Sequence, residues 1–290
     1  MKNKALLTIT AICAIFMLCG NVPACELMAY SFNQDIPANN LFSAFRCRGK
    51  NNPDGWGIAF YADKAAVLFK EPCSAPESVL AEFLTTYPGL QRKLVIAHVR
   101  KASVGGKAYQ NTHPFVRELN GREYVLAHNG TLRNYQSVLK LDRVMPLGIN
   151  DTEFLLCYLL GRIEKKNISD WDTQAFEWMQ RELRVINDYG ALNCIFSDGT
   201  YLFAYYDKKG YNGLYYLMHK APYGQTYFKD LSQSIDLSKV YPETATGVVI
   251  VTRPLTDERW ERFTPGQLMV FKSGVQIFPA TPPICAGSPR

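Results

Sequence analysis

Short runs of apolar residues at strand length occur throughout the first half of the chain. Residues 25–32, 55–61, 94–99 and 124–128 are rich in β-branched and aromatic side chains, a composition typical of buried strands. Asn129-Gly130 follows the last of these runs and predicts a turn that ends the strand. The first half of the chain is therefore expected to supply four strands of a buried sheet structure.

Longer periodic segments lie between and after these runs. Residues 36–45 follow Asp35 and carry Pro37 in a first turn, and residues 76–84 have apolar side chains at helical spacing. Residues 151–163 and 171–186 are helical by their length and period. Four helices are predicted.

The last third of the chain changes character. Residues 191–197 and 201–206 flank Asp198-Gly199-Thr200, a strong hairpin signal, and residues 214–218, 247–252 and 267–271 predict further strands. Helices between strands followed by an antiparallel run indicate an α+β sandwich rather than a doubly wound parallel sheet. No linker divides residues 25–278, so one domain is expected, followed by a loose tail at 279–290 that is rich in proline and small residues.

Residues 1–24 have the pattern of a secretory signal peptide. Lys2 and Lys4 precede a mainly apolar stretch at 5–18, and Val-Pro-Ala at 22–24 provides small residues for cleavage. We expect export to the periplasm or the extracellular space and a mature chain that begins at Cys25. The alternative is a retained membrane anchor, for which the apolar stretch is short, so no integral span is expected in the mature chain.

Composition and charge narrow the function classes. Hydrophobic residues make up 47% of the chain, enough for a sizeable core. The net charge is +6, and loss of Lys2 and Lys4 with the leader leaves +4. This excess is scattered and forms no basic stripe, so no nucleic-acid partner is expected.

Cysteine usage bears on both redox state and chemistry. Of eight cysteines, Cys13 and Cys19 lie in the leader. If Cys25 remains a thiol, the odd number left over permits at most two disulfides, with undetermined pairing. No Cys/His spacing matches a zinc site, so no metal is expected. The remaining five are Cys47, Cys73, Cys157, Cys194 and Cys285.

Cys25 becomes chemically distinctive if cleavage follows Ala24. The α-amino group of an N-terminal cysteine lies within reach of its own sulfur and has an ordinary pKa of roughly 8. It can act as a general base that activates the thiol, directly or through a water. The alternatives are a buried strand cysteine and the acylated cysteine of a lipoprotein.

Several further motifs occur in a specific order. Cys25-Glu-Leu-Met and Asp54-Gly-Trp-Gly57 are followed by His98-Val-Arg-Lys-Ala-Ser103, Asn111-Thr-His-Pro-Phe115, His128-Asn-Gly-Thr131 and Asn150-Asp-Thr-Glu153. Together they resemble the class II glutamine amidotransferases of the small stand-alone type, which are N-terminal-nucleophile hydrolases. The resemblance is strong over residues 25–163 and weaker beyond.

This resemblance implies a four-layer αββα sandwich and hydrolysis or acyl transfer at a γ-glutamyl amide without a cofactor. Cys25 would be the nucleophile. Asn129 through its side chain and Gly130 through its backbone N–H would hold the oxyanion. Taken by itself, the Asn129-Gly130 dipeptide indicates a plain β-turn instead.

The head of a glutamine substrate calls for a second set of groups. Arg100 offers a planar bidentate donor for the α-carboxylate, and Ser103 adds a hydroxyl where the family usually has Thr. Asp151, at a helix start, offers a carboxylate for the α-ammonium, although it could also be only a helix cap. We expect His98 and His128 to be structural and His113 to shape a loop.

The chain departs from the family in its leader and in having no ammonia-using synthase region. A glutaminase or γ-glutamyl amidase is therefore expected, unless a separate ammonia-accepting subunit takes part. The other hypotheses are an N-terminal-cysteine acylase for different amides and a lipoprotein binding module with acylated Cys25. Arg100 and Asp151 argue against the acylase, because its substrates lack an amino-acid head.

Overall fold

The computed structural model describes residues 24–280, in which two sheets are stacked between two pairs of helices. The helices are α1 Asn39–Cys47, α2 Val79–Thr86, α3 Asp151–Lys166 and α4 Thr173–Ile186. The strands are β1 Glu26–Pro37, β2 Gly55–Ala62, β3 Ala65–Glu71, β4 Gln91–Arg100, β5 Phe115–Leu119, β6 Arg122–Leu132, β7 Gly190–Ser197, β8 Tyr201–Tyr205, β9 Tyr215–Lys220, β10 Gln225–Phe228, β11 Gln233–Asp236, β12 Thr246–Val251, β13 Glu261–Arg262, β14 Leu268–Lys272 and β15 Val275–Phe278.

The two large sheets are antiparallel throughout. The first has the strand order β13-β9-β12-β1-β4-β2-β3, and the second has the order β15-β14-β8-β7-β6-β5. Strands β10 and β11 form a separate hairpin. The central strands, β1 and β4 in the first sheet and β6 and β7 in the second, carry or adjoin most of the predicted site residues. The α+β sandwich expected from the strand and helix pattern is confirmed.

Three apolar cores fill the spaces between the layers. Phe42 and Phe45 of α1 pack with Trp56 on the outer face of the first sheet. Leu155 and Leu159 of α3 pack in the corresponding core on the outer face of the second sheet. A third core lies between the sheets and contains Leu27, Ala29, Val125, Ala127, Ile195 and Ile250. The four layers implied by the family resemblance are therefore present.

The start of α3 is fixed by a side-chain cap. Asn150 Oδ1 accepts the N–H of Thr152 at 2.9 Å, which satisfies one of the free donors of the first turn. The helix ends at Asn167, whose φ of 53° is left-handed. Asn150, rather than Asp151, is thus the capping residue, and the Asp151 carboxylate remains available for other contacts.

Two local predictions are wrong. The helix expected at 36–45 begins only at Asn39, because Ile36 and Pro37 still pair with Arg92 and Gln91 of β4 after an irregularity in β1. The turn expected at Asn129-Gly130 is absent, because β6 continues to Leu132 and pairs with β7 along its whole end. In both places strand pairing overrides the local turn or helix signal.

The structure covers only part of the chain to which the predictions on disulfides and on a membrane span apply. All five cysteines between residues 24 and 280 are free. Cys285, residues 1–23 of the proposed leader at 1–24, and residues 281–290 of the tail lie outside the described residues. None of the helices in the described part of the chain is long and apolar enough to cross a membrane.

Candidate active site

Several of the predicted site residues meet at one edge of the sandwich. Cys25 precedes β1, Arg100 ends β4, Gly130 lies near the end of β6, and Asp151 opens α3. These four residues and Ser103 line a common pocket. Its cavity is about 10 Å³ in volume, close to the space that a single water molecule needs.

The Cys25 sulfur contacts only main-chain polar atoms. It accepts the N–H of Lys101 at 3.1 Å and donates to the carbonyl of the same residue at 3.2 Å. Asn212 Nδ2 donates to the Cys25 carbonyl at 3.3 Å. Burial raises the pKa of the thiol to about 11, although the Lys101 hydrogen bond and the Arg100 charge oppose this. A thiol with a raised pKa reacts as a nucleophile only after a base has removed its proton.

Arg100 is a buried cation without a carboxylate contact in the described structure. It is 1% exposed, and its guanidinium donates to the carbonyls of Val104 at 2.7 Å and Gly105 at 2.6 Å. Burial lowers its pKa, while nearby Cys25, Asp54 and Asp151 raise it. A buried charge that is held only by neutral carbonyls is favourable for binding a substrate carboxylate.

Asp151 is a buried anion on the same pocket. It is 3% exposed, and its Oδ2 accepts the N–H of Leu132 at 2.8 Å. Among residues 24–280 it forms no ion pair. Ser103 is exposed at the rim and accepts a hydrogen bond from the Thr131 hydroxyl at 2.9 Å. The pocket thus brings together the buried charges of Arg100 and Asp151, which are opposite in sign and unpaired, and the Ser103 hydroxyl.

Asn129 is buried beside the pocket rather than on its surface. It is 1% exposed, and neither its Nδ2 nor its Oδ1 has a hydrogen-bond partner in the structure. Side chains alternate along a strand, and Ala127 of β6 and Leu27 of β1 both face the core between the sheets. Asn129 lies two residues after Ala127 and Cys25 lies two residues before Leu27, so both extend from the same interior layer.

Gly130 has both steric and hydrogen-bonding significance. Its φ is +154°, and a Cβ there would lie 2.0 Å from the Ala191 carbonyl oxygen, so no other residue fits. It pairs with Leu192, whose N–H donates to Asp207 Oδ2 at 2.8 Å instead of to β6. Gly130 and Leu192 therefore form a non-hydrogen-bonded pair of the antiparallel ladder, and the Gly130 N–H points away from β7.

Sequence reasoning assigned no role to Asp54 or Asn212. Asp54 accepts the N–H of Ala102 at 2.9 Å and pairs with Lys107 at 2.9 Å, so it ties the segment after β4 to the start of β2. Burial alone would raise the pKa of Asp54, but these two contacts outweigh it and lower the pKa. The Asp54-Gly-Trp-Gly57 motif pointed to Asp54, whereas nothing in the sequence pointed to Asn212.

Three buried histidines adjoin the pocket, and two of them, His113 and His128, line it. His98 stacks on His113 with ring centroids 4.2 Å apart, and His128 lies beside them. Burial lowers the pKa of His98 to about 3 and that of His113 well below its usual value. They do not converge on a metal site, since the described residues contain no suitable group of three His, Cys, Asp or Glu side chains.

A comparison with known families decides the classification. The model of the class-II glutamine amidotransferases matches residues 24–289, nearly the whole chain. The chain belongs to this family. The class-II glutamine amidotransferase match begins one residue before Cys25, so the region compared contains every residue of the pocket described above.

Individual relatives agree with this membership. The class-II glutamine amidotransferase described here is 44% identical over 254 residues to an uncharacterized protein of Methanocaldococcus jannaschii, covering 88% of this chain and 71% of that protein. It is 33% identical to YafJ of Escherichia coli, a provisionally assigned glutamine amidotransferase, covering 87% of this chain and 99% of that one.

Solved structures also resemble this class-II glutamine amidotransferase. A predicted glutamine amidotransferase from Pseudomonas aeruginosa superposes with a TM-score of 0.67 at 28% identity, covering 87% of this chain and 99% of that chain. The glutamine phosphoribosylpyrophosphate amidotransferase of B. subtilis superposes with a TM-score of 0.57 at 16% identity, covering 87% and 48%. The second likeness concerns the fold alone.

Proposed function

We propose that this chain is an amidohydrolase that cleaves the side-chain amide of glutamine, or of another γ-glutamyl amide, through Cys25 as an N-terminal nucleophile. The observation that carries the proposal is the grouping of the Cys25 sulfur, the Arg100 guanidinium and the Asp151 carboxylate around one buried pocket. In the proposed mature enzyme, removal of residues 1–24 frees the α-amino group of Cys25.

The charges in the pocket match the head of an α-amino acid. Arg100 would bind the α-carboxylate, with Ser103 as an additional hydroxyl donor, and Asp151 would bind the α-ammonium. Both charged residues are almost fully buried and have no opposite charge in contact, so a zwitterionic substrate would neutralise both at once. This complementarity favours γ-glutamyl substrates over the amides that other N-terminal-cysteine acylases cleave.

Attack by the Cys25 sulfur would form a carbon–sulfur bond and move the carbonyl electrons onto oxygen. The unpartnered Nδ2 of Asn129 and the N–H of Gly130 are the donors available for this oxyanion. Collapse of the intermediate would release ammonia and leave a γ-glutamyl thioester on Cys25. Attack by water on the thioester would then release glutamate and restore the thiol.

The base in this mechanism is the α-amino group of Cys25. The two polar contacts of the sulfur within hydrogen-bond distance are the N–H and carbonyl of Lys101, neither of which can accept the thiol proton and hold it. An α-amine has a pKa of roughly 8, close to the working pH, so it can take the proton and return it to the departing amine.

Hydrolysis and ammonia transfer remain separate proposals. The class-II glutamine amidotransferase match over residues 24–289 supports the proposal that this region cleaves an amide. We propose that ammonia is released to solvent, with delivery to a separate ammonia-accepting subunit as the alternative. We also propose that the enzyme is exported, in keeping with the signal-peptide pattern at residues 1–24.

Mature protein that begins at Cys25 should be incubated with glutamine, γ-glutamyl dipeptides, asparagine and an N-acyl amide without an amino-acid head. Glutamate release from the γ-glutamyl compounds alone is the expected result. Cleavage of the headless amide at a comparable rate would replace this proposal with the acylase hypothesis. Intact mass of the exported protein separates both from a lipoprotein, because acylated Cys25 carries added mass.

A further inference from the structure

A hydroxyl group with two histidine partners lies in the wall of the pocket. Thr152 is 0% exposed, and its Oγ1 lies 2.7 Å from His113 Nε2 and 3.0 Å from His128 Nδ1. His128 Nε2 lies 3.0 Å from the Ala191 carbonyl oxygen, and His98 Nε2 lies 3.2 Å from the His128 carbonyl oxygen.

The partners determine which nitrogens carry protons. Carbonyl oxygens only accept, so His98 and His128 each donate from Nε2. A second proton on His128 would bury a cation without an anionic contact, so its Nδ1 accepts the Thr152 O–H. The Thr152 oxygen then accepts the His113 Nε2–H. The Nδ1 atoms of His98 and His113 are buried without partners, as expected for nitrogens that carry no proton.

This directional chain joins the elements that carry the proposed site. His98 is two residues before Arg100 on β4, His128 is one residue before Asn129 on β6, and Thr152 follows Asp151 on α3. The His98 bond crosses between the two sheets, and the Thr152 bond joins β6 to α3. The Thr152 hydroxyl is thus one of two side-chain links between α3 and β6, the other being the bond from the Leu132 N–H to Asp151.

We propose that Thr152 is a positioning residue that fixes the oxyanion segment Asn129-Gly130 against α3, and this inference rests on the proposed function. Loss of the hydroxyl would leave the His128 Nδ1 without its donor and the His113 Nε2–H without its acceptor. Asp151 is anchored separately by the N–H of Leu132, so substrate binding would change less than the chemical step.

Thr152→Val removes the hydroxyl and keeps the shape, whereas Thr152→Ser keeps the hydroxyl. We expect Thr152→Val to lower kcat by roughly tenfold or more, since small misplacements of reacting groups are costly. KM should change by less than about threefold, and Thr152→Ser should restore kcat. Thr152→Ala replaces the Val variant if the latter does not fold.

Thr256→Val is the matched control. Thr256 is also buried, and its hydroxyl also bridges two groups, accepting from Trp260 Nε1 at 3.0 Å and donating to Glu258 at 2.9 Å. These residues do not line the Cys25 pocket. The control should lose stability without losing kcat. Equal kcat losses in Thr256→Val and Thr152→Val, or a wild-type kcat in Thr152→Val, would overturn the inference.

Nitrogen-15 NMR of the histidine rings gives a readout that does not need activity. In wild-type protein His98, His113 and His128 should all be neutral with the proton on Nε2, and Thr152→Val should shift the signals of His113 and His128 only. An Nδ1-protonated or charged His113 or His128 in the wild type would overturn the inference. Wild-type protein without glutaminase activity but with these tautomers would instead contradict the proposed function.

Discussion

Asn129 and Asn193 lie directly opposite each other on β6 and β7, yet their amides have contrasting environments. Both side chains are buried. Asn193 is fully bonded: it donates to the carbonyls of Tyr211 and Gly213 and accepts the N–H of Asp207. Neither polar atom of Asn129 has a partner. An unsatisfied buried polar group costs about 1–3 kcal/mol, so the Asn129 amide is a destabilising feature that a function can explain.

Substitution at these two positions should separate activity from stability. We expect Asn129→Leu to lower kcat by roughly 10² or more, since an oxyanion donor is lost, while the free energy of unfolding stays the same or rises. Asn193→Leu should instead lower the free energy of unfolding, because three hydrogen bonds disappear. Steady-state kinetics and urea unfolding of both variants provide the measurements. A wild-type kcat in Asn129→Leu would remove Asn129 from the oxyanion site.

The nucleophile is tested most directly at Cys25. Cys25→Ala should abolish amide hydrolysis and leave the fold intact, and Cys25→Ser should retain little activity because an α-amine is a weak base for a hydroxyl. Glutamate release and thermal unfolding measure the two properties. Cys47→Ala is the matched control, since Cys47 is another half-buried free thiol, on α1 rather than at the pocket. Activity in Cys25→Ala equal to that of Cys47→Ala would exclude Cys25.

Arg100 and Asp151 should act mainly in substrate binding. Arg100→Lys loses the bidentate fork, and Asp151→Asn loses the charge while its amide oxygen still accepts the Leu132 N–H. We expect each change to raise KM by roughly tenfold or more with a smaller change in kcat. Arg162→Lys, which alters a surface ion pair with Glu182, serves as the control. A fall in kcat at unchanged KM would argue against the proposed head-group role.

Much of the fold was predictable because local pattern and tertiary structure agree. The apolar run at 94–99, the Asp198-Gly199-Thr200 hairpin and the period of α3 all correspond to elements of the structure. The failures occurred where distant pairing decided the outcome. Asn129-Gly130 has the composition of a turn, but its pairing with β7 extends the strand through it. Short edge strands such as β13 gave no detectable period.

Prediction of the site succeeded and failed for the same reasons as prediction of the fold. Motif order identified Cys25, Arg100 and Asp151, which the fold brings around one pocket. Contacts between segments far apart in the chain could not be foreseen. Asn212 bonds the Cys25 carbonyl across 187 residues, and no local pattern around Asn212 distinguishes it from an ordinary turn residue. The sharing of one Thr152 hydroxyl by two histidines likewise depends on how α3 packs on β6.

Buried histidines predict a pH dependence of stability. Burial lowers the pKa of His98 to about 3 and that of His219 to about 4 in the folded state. These histidines bind protons near pH 6.5 in the unfolded chain but not in the folded chain. Their contribution to the free energy of unfolding is therefore fully present above pH 6.5 and is lost as pH falls toward 4. Each such histidine contributes a slope of about 1.4 kcal/mol per pH unit.

His219→Phe offers a direct measurement of one of these slopes. His219 packs among Phe32 and Tyr241, away from the Cys25 pocket, so an aromatic replacement should be accommodated. Urea unfolding at pH 7, 6 and 5, followed by tryptophan fluorescence, should give a shallower pH dependence for the variant than for the wild type. Parallel dependences would mean that His219 binds its proton equally in both states.

The last prediction joins export to activation. In the precursor the nitrogen of Cys25 is an amide to Ala24, and an amide nitrogen is not basic, so it cannot take the thiol proton. Cleavage after Ala24 turns it into an amine with a pKa of roughly 8, while the Cys25 thiol, with a pKa of about 11, still needs that base. We therefore expect the uncut protein to fold and to be inactive.

Two proteins that are identical from Cys25 onward test this coupling. One begins at Cys25, and the other carries a short non-cleavable extension before it. Thermal unfolding and the number of titratable thiols should match between them, which shows that the fold is the same. Glutaminase activity should appear only in the protein with the free amine. Equal rates per folded molecule would contradict the coupling, because they would require a base other than the α-amino group. Activity confined to the free form would also argue against the lipoprotein hypothesis, because that hypothesis requires the same amine to be acylated.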